Sequence, residues 1–358
     1  MREKGKSWLR KYWPLTAFTF ISLLSYLSVL IPPTAFWPAV FSSYAIPGIL
    51  VLNALLFVFL ILFNRRLILF TLIGLIAGMP FIMVTYSIHP ESKSEIREFS
   101  VLSYNTKLFR KPKAYGKFSV EMIDQVAEDS SDIKCIQEYS SNSRWQVLNA
   151  TEKNLAQGYF GFIHPPKVNK HYNPGLAIFS KFPIVNRGVV WVSTGTINDG
   201  IFADLKIESD TLRVYNVHLA SMRLELSQYK NIENYPSKIK TLMSRLKHGA
   251  ERRSYQIERL QKHAAESPYP YIICGDFNET PYSYNYFELK RNFYNAFEES
   301  GNGFGFSLNS ALFFLRIDHQ FYSPGIENLS FSVDRSLRIS DHFPTRGVFR
   351  IEKSPNHP

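Results

Sequence analysis

Six short apolar runs between Phe99 and Ile351 each meet a side chain able to do chemistry. Asn105 follows Phe99–Tyr104, and Glu138 follows Asp132–Gln137. Thr211–Val217 runs into His218, with Asn216 on the same strand face, and Tyr269–Gly275 runs into Asp276, with Asn278 two residues on. Leu315–Ile317 stops at Asp318, and Asp341-His342 opens the last run. One polar strand end is usually a turn former, but turns alone do not explain this mixture of carboxylates, amides and imidazoles. Glu138, Asp276 and Asp341 offer hard oxygen ligands, which suit Mg²⁺, Mn²⁺ or Ca²⁺ rather than zinc. Two histidines can stabilise an oxyanion or exchange a proton near neutral pH. Asn105, Asn216 and Asn278 can donate to phosphoryl oxygens without adding charge. If the fold brings these ends to one edge, the set points to metal-assisted attack of water on a phosphate ester. A nucleophilic Ser or Cys is poorly supported. The chain has no Gly-x-Ser-x-Gly elbow, and Cys135 and Cys274 sit inside apolar strand-like runs, where cysteine behaves as a small hydrophobe. Two cysteines also make neither a disulfide framework nor a zinc cluster.

The elements that must position these residues read as one mixed α/β domain over 99–352, with no internal repeat, followed by a tail at 353–358. A polar stretch, 89–98, reads as a linker. Before it stand three apolar stretches, Leu15–Ile31, about Tyr44–Phe63 and Leu67–Ile88, each near the ~20 residues that a spanning helix needs. Pro32-Pro33, Pro38 and Asn64-Arg65-Arg66 separate them. A cleaved signal peptide is the weaker reading of the first, because it lacks a small-residue cleavage site and two further stretches follow. Of the net charge of +11, residues 1–90 hold seven basic residues against one acid. That leaves 34 basic and 29 acidic residues elsewhere, so the excess is not strong evidence for a polyanionic partner. It bears on topology instead. Five Lys/Arg lie in the basic tail at 1–14 and two at Arg65-Arg66, which places both in the cytoplasm. Three crossings of the cell (inner) membrane then put 99–352 on the extracytoplasmic side, the periplasm in a Gram-negative cell. Trp8, Trp13, Trp37 and Tyr44 fall near the expected interfaces.

The ordered set Leu-Ser-Tyr-Asn105, Ile-Gln-Glu138, Asn216-Val-His218-Leu, Gly275-Asp276-Phe277-Asn278, Arg316-Ile-Asp318 and Ser340-Asp341-His342-Phe-Pro resembles the endonuclease/exonuclease/phosphatase family, the deoxyribonuclease I-like fold. The resemblance covers about Phe99–Ile351. It implies a four-layer α/β (α+β) sandwich of two packed, mainly antiparallel sheets flanked by helices, here preceded by a three-helix transmembrane anchor. It also implies that Glu138 binds a divalent metal (Mg²⁺, or Mn²⁺ or Ca²⁺) with Asn105 and Asp341 beside it. Asp276 would orient or deprotonate water, and Asn278 would hold the phosphate together with Asn216. His218 and His342 would contact the scissile group, with Asp318 bonded to His342 and raising its basicity. Asn173 or Tyr172 is a further phosphate-side position of uncertain register.

The family spans nucleases, sphingomyelinases and inositol polyphosphate phosphatases, so fold leaves the substrate open between nucleic acid and a lipid headgroup. Glu279-Thr280-Pro281 and Arg316-Ile-Asp318-His319 depart from the inositol 5-phosphatase pattern, and His319 stands where an aromatic is more usual. Two further segments have bland readings. The basic stretch 222–265 is balanced by Glu225, Glu233, Glu251, Glu258 and Glu266, as on a solvated helical face, and the aromatics of Pro281–Phe297 read as core packing. The reading is a membrane-anchored, metal-dependent phosphodiesterase whose partners are the bilayer and a phosphate ester, with no protein partner inferred. A tethered binding module that keeps the pocket for ligand recognition alone is the rival. A transport role lacks any intramembrane charge to support it.

Overall fold

A computed structural model describes residues 2–90, 98–110, 118–141, 157–164, 173–221, 235–310 and 312–352. Two six-stranded sheets pack face to face. The first runs in the order β13 (Ile326–Val333), β14 (Thr345–Ile351), β2 (Glu98–Asn105), β3 (Ile133–Ser141), β5 (Asn173–Ser180), β4 (Phe160–His164). The second runs β10 (Tyr294–Asn295), β12 (Asp318–Tyr322), β9 (Tyr271–Asp276), β8 (Asp210–His218), β7 (Gly200–Ile207), β6 (Ile184–Trp191). Each sheet is antiparallel except for one central parallel pair, β2/β3 in the first and β8/β9 in the second. A parallel pair needs a long crossover, and each crossover includes a helix. Between β2 and β3 lies α5 (Val120–Glu128), whose N-cap Ser119 accepts from the Met122 amide and whose Met122, Ile123 and Val126 are buried. Between β8 and β9 lies a 31-residue helix, α6 (Tyr235–Ala265). The inner faces of the sheets close over Val101, Ile133, Cys135, Ile178, Ile201, Val214, Ile272 and Cys274. Both cysteines are free and buried there.

Two N-terminal helices are long and apolar enough to cross a membrane, over Tyr12–Leu30 and Ala39–Phe63. The third apolar stretch is not the single straight span that its composition suggests. Helix α3 (Ile68–Ala77) and helix α4 (Met79–Thr85) meet at a 54° bend. Pro80, at the start of α4, has no amide to continue the ladder, and Gly78 fits against Leu50 where a Cβ would come to 2.5 Å of it. The chain then enters a short strand, β1 (Tyr86–Ser87), paired with β11 (Gly303–Phe304).

The sandwich sits directly on one end of this bundle. Tyr26, Val29, Ile46, Phe81 and Val84 share an apolar cluster with Tyr282, Tyr286, Leu289 and Phe293. Phe81 meets Phe287 edge-on at 5.5 Å, the Thr85 and Tyr282 hydroxyls are 2.8 Å apart, and Arg316 donates to the Val84 carbonyl at 2.7 Å. Of the aromatics of Pro281–Phe297, Tyr282, Tyr286, Phe293 and Phe297 are core, as their composition suggests, whereas Tyr294 is exposed, and the core is shared with the apolar helices. The acid-balanced face of α6 is also only part of the story. Arg253 is fully buried, donates to Glu279 at 2.6 Å and to the Ala220 carbonyl at 2.9 Å, and bonds Tyr44 of the second helix. Residues 222–234 of that basic stretch lie outside the described residues.

Candidate active site

The parallel pairs decide where the polar strand ends meet. In register, Asn105 of β2 faces Gln137 of β3, and His218 of β8 faces Asp276 of β9. Asp318, the first residue of antiparallel β12, also faces Asp276. The carboxyl ends of both parallel pairs and the start of β12 thus share one edge. Ser340 closes the ring by donating to the Asn105 carbonyl at 2.8 Å, which places Asp341 and His342 beside β2 just before β14 begins.

Local backbone geometry aims these side chains. The β3/β5 register shifts between Ile136 and Tyr139, and Glu138 within that shift has φ 48°. A bulge of this kind re-aims a side chain that a regular strand would point along the pleat. Asn278 has φ 50°. Gly275 has φ 150°, and a Cβ there would lie 1.9 Å from the Val217 carbonyl oxygen, so only glycine lets β9 pass β8 closely enough to present Asp276.

Asp276 is the hub. Its Oδ2 accepts from Asn105 Nδ2 at 3.0 Å and faces His218 Nε2 at 3.5 Å and His342 Nε2 at 3.7 Å. Its Oδ1 accepts from the Asn278 amide at 2.9 Å. Behind His342, Asp318 lies against Nδ1 at 2.9 Å and is itself anchored by its amide donating to Ser307 Oγ at 3.1 Å. Burial works against the His342 imidazolium, but the carboxylates of Asp318, Asp276 and Asp341 more than offset it and hold His342 well above the ordinary imidazole range. The Asn105 amide reaches Glu138 Oε1 at 3.2 Å as well as Asp276. Asp341 pairs with Lys107 at 2.5 Å. Burial pushes the Asp341 carboxyl up, but His342 and Lys107 outweigh it and keep the group below the usual carboxylate range.

Asn105, Glu138, His218, Asp276, Asn278, Asp318, Asp341 and His342 are thus brought to one rim. Asn216 is not. It is wholly buried between the sheets, where its amide donates to the carbonyls of Ile136 at 3.0 Å and Ala177 at 2.9 Å and its oxygen accepts from Gln137 at 2.7 Å. With every polar atom committed to the opposite sheet, it has none left for a phosphate, and its place as a phosphate ligand is corrected to that of a clamp between the sheets. Tyr172 and the side chain of Asn173 lie outside the described residues. His319 resolves its own oddity. Burial and Arg316 hold its ring well below the ordinary range, and as a neutral ring it packs among Phe277, Tyr286 and Phe321 while Nε2 bonds the Glu279 carbonyl. It fills an aromatic position as an aromatic would.

Two rim residues went unread in the sequence. Lys107 lies two residues beyond Asn105, in the turn past the end of β2. Asp199 stands just before β7, and its carbonyl accepts from the His218 amide at 2.9 Å. A pattern of strand ends misses it, although β7 pairs antiparallel with β8 and must begin where β8 finishes.

The profile of the endonuclease/exonuclease/phosphatase family matches residues 102–342, from the middle of β2 to His342 itself. The chain belongs to this family. A second profile, described only as a domain of unknown function, matches residues 11–85. No curated protein matches the chain. Among solved structures, an endonuclease/exonuclease/phosphatase from Beutenbergia cavernae is 15% identical, with 73% of each chain covered and a TM-score of 0.53. The human Nocturnin catalytic domain with bound sulfate is 17% identical, with 73% of this chain and 97% of that one covered at a TM-score of 0.51. A functionally unknown protein from Enterococcus faecalis is 15% identical, with 71% and 100% covered at 0.51. At these identities the likeness is one of fold.

Members of the family are generally phosphoester hydrolases that use a divalent metal, and the rim has the chemistry for one. The ligand atoms of Asp276, Asp318 and His342 all lie within 4.8 Å of one another. Asp318, however, is already bonded to His342 Nδ1. Glu138 and Asp341 flank Asn105 with carboxylates, and Lys107 already lends Asp341 a positive charge. Carboxylate oxygens are hard donors that suit Mg²⁺, Mn²⁺ or Ca²⁺, and Lys107 stands on Asp341 where such a cation would take its place.

Proposed function

We propose that this protein is a membrane-anchored, divalent-metal-dependent phosphodiesterase. The observation that carries the reading is the convergence of Asn105, His218 and His342 on one oxygen of Asp276, with Asp318 seated behind His342. In this reading Glu138 and Asp341 hold the metal with Asn105 beside them, and the metal when bound supplies Lewis acidity toward a phosphoryl oxygen. Asp276 takes the position of the base that orients and deprotonates the attacking water, within reach of both imidazoles. His342, kept protonated by its carboxylate neighbours, donates to a non-bridging oxygen as negative charge builds there. His218 lies on the other side of Asp276, and its Nδ1 has no partner among the described residues. Asn278, held in its left-handed turn by the Asp276 carboxylate, completes the phosphate cradle. The apolar helices anchor the chain in the cell membrane, with the basic tail and Arg65-Arg66 on the cytoplasmic side and the sandwich outside.

Because the sandwich shares its core with the anchor, the test uses the full chain in detergent micelles. Bis(4-nitrophenyl) phosphate is offered with Mg²⁺, Mn²⁺ or Ca²⁺, beside an EDTA control and His342→Ala. Metal-dependent release of nitrophenolate that both controls abolish is expected. A folded chain that binds metal and releases none would favour the binding-module reading.

A further inference from the structure

One loop links the rim to the membrane end of the molecule. Its base, Ser307–Asn309, holds the site. Ser307 Oγ accepts from the Ile317 and Asp318 amides, Leu308 bridges His342, and the Asn309 amide donates to the Asp341 carbonyl at 2.6 Å. Its tip is apolar and bare, with Phe313 64% and Phe314 46% exposed. Phe314 and Leu315 line a small cavity with Val84 and Thr85, the last turn of the apolar helices. The tip therefore stands level with the end of α4.

It is not an isolated pair of rings. Ile82 and Met83 of α4 are exposed, as lipid-facing residues of a span would be, and the exposed apolar surface continues through Tyr86 and Ile88. Tyr86 packs edge-on against exposed Phe304 at 4.9 Å, and Phe304 stacks on Phe306 at 5.1 Å. Arg335, exposed, donates to the Phe304 and Phe306 carbonyls and so fixes a cation beside this surface. Contiguous apolar surface on a folded protein marks an interaction site, and aromatic rings with a basic neighbour are the chemistry of a bilayer interface with anionic headgroups.

We infer that the face formed by Tyr86, Ile88, Phe304, Phe313 and Phe314 lies in the bilayer interface and sets the rim over it, so that the phosphodiester attacked is one in a lipid headgroup. The inference deepens the hydrolase reading and rests on it for the substrate, whereas the contact itself stands on geometry. Continuity with the apolar helices selects the bilayer as the occupant. A nucleic acid would require a row of cations along this approach, where the structure places phenyl rings with Arg335 beside them.

The two native cysteines are buried, so Phe313→Cys can be labelled selectively with an environment-sensitive fluorophore. The full chain is reconstituted in nanodiscs of phosphatidylethanolamine and phosphatidylglycerol. Ser209→Cys, in the turn at the opposite edge of the sandwich, serves as the control. Quenching by doxyl-labelled lipid at position 313 and not at 209 is expected, and equal, water-like emission at both would overturn the contact. Phe313→Ser with Phe314→Ser is expected to slow hydrolysis of the disc phospholipids at least tenfold while leaving bis(4-nitrophenyl) phosphate turnover within twofold. No selective loss, or preferred cleavage of added DNA or RNA, would overturn the lipid substrate. A native chain that turns over no ester at all would instead strike the hydrolase reading, with the quenching result still deciding the surface.

Discussion

Asn216 and His218 stand two residues apart on one strand and face the same way, yet they belong to different regions. Asn216 lies in the interior between the sheets, where a polar side chain left unpaired would cost on the order of 1–3 kcal/mol, and all of its polar atoms are spent on the opposite sheet. Gln320 reaches across from β12 in the same direction, its Nε2 donating to the Val101 and Thr345 carbonyls while its Oε1 has no partner among the described residues. His218 is at the rim, one pleat further, where the opposing backbone runs out. There the side chains contact one another, as in the cluster around Asp276, and strained backbone at Glu138 and Asn278 is tolerated. Interior polar groups stabilise the sandwich. At the rim His218 Nδ1 has no partner among the described residues, and in the proposed function that spare capacity is what a substrate uses.

The comparison breaks if rim substitutions cost stability rather than turnover. The largest effect is expected at Glu138→Ala, a loss of about 10³-fold in metal-dependent turnover. Its melting temperature should stay near that of the native chain, and calorimetry beside the activity assay decides whether the loss is chemical.

Asp318→Asn comes next, with a fall on the order of 10²-fold. It also carries a sign. His342 is held above its ordinary value, so the imidazolium persists through neutral pH and is lost as pH rises through the raised value. A step that uses the charged ring therefore runs fully at neutral pH and fails on the basic side. Removing the Asp318 charge should move that basic limb to lower pH. A limb that stays put in the Asp318→Asn pH–rate profile would remove His342 from the donor role. By the same linkage, the stability that His342 gains from its carboxylates is fully present below the ordinary imidazole value and lost as pH climbs through the raised one.

The smallest catalytic effect belongs to the interior. Asn216→Ala should leave turnover within about threefold at a temperature where the chain is folded, yet cost about 2–3 kcal/mol in denaturant unfolding, because it strands carbonyls of Ile136 and Ala177. A large loss of activity at unchanged stability would return Asn216 to the substrate and erase the contrast between the two regions.

The residue types that carry chemistry could be read in the sequence because apolar runs that each stop at a carboxylate, amide or imidazole are visible without a structure. The family order of those stops also made the fold legible. Asn216 was misplaced because strand periodicity assigns a face, and one face of β8 spans both interior and rim. Lys107 and Asp199 escape the same pattern because neither ends a strand: Lys107 stands in the turn just past β2, and Asp199 reaches the site through the pairing of β7 with β8. The apolar helices could be counted from composition, but Pro80 and Gly78 bend the third of them, and only packing against Leu50 shows how that bend is used.

By itself the chain's sequence determined that carboxylates and imidazoles end its strands, that apolar helices precede them, and that the hydrolase family's residues stand in order. Tertiary structure alone decided that Asp276 is the hub, that Arg253 joins the second apolar helix to the loop after Asn278, and that Phe314 stands beside the end of α4. Strand endings and helix lengths are local properties, written in a few consecutive residues. Convergence on one oxygen, or alignment of a loop tip with a helix end more than 200 positions earlier, depends on how two sheets and a bundle pack, and no local pattern encodes it.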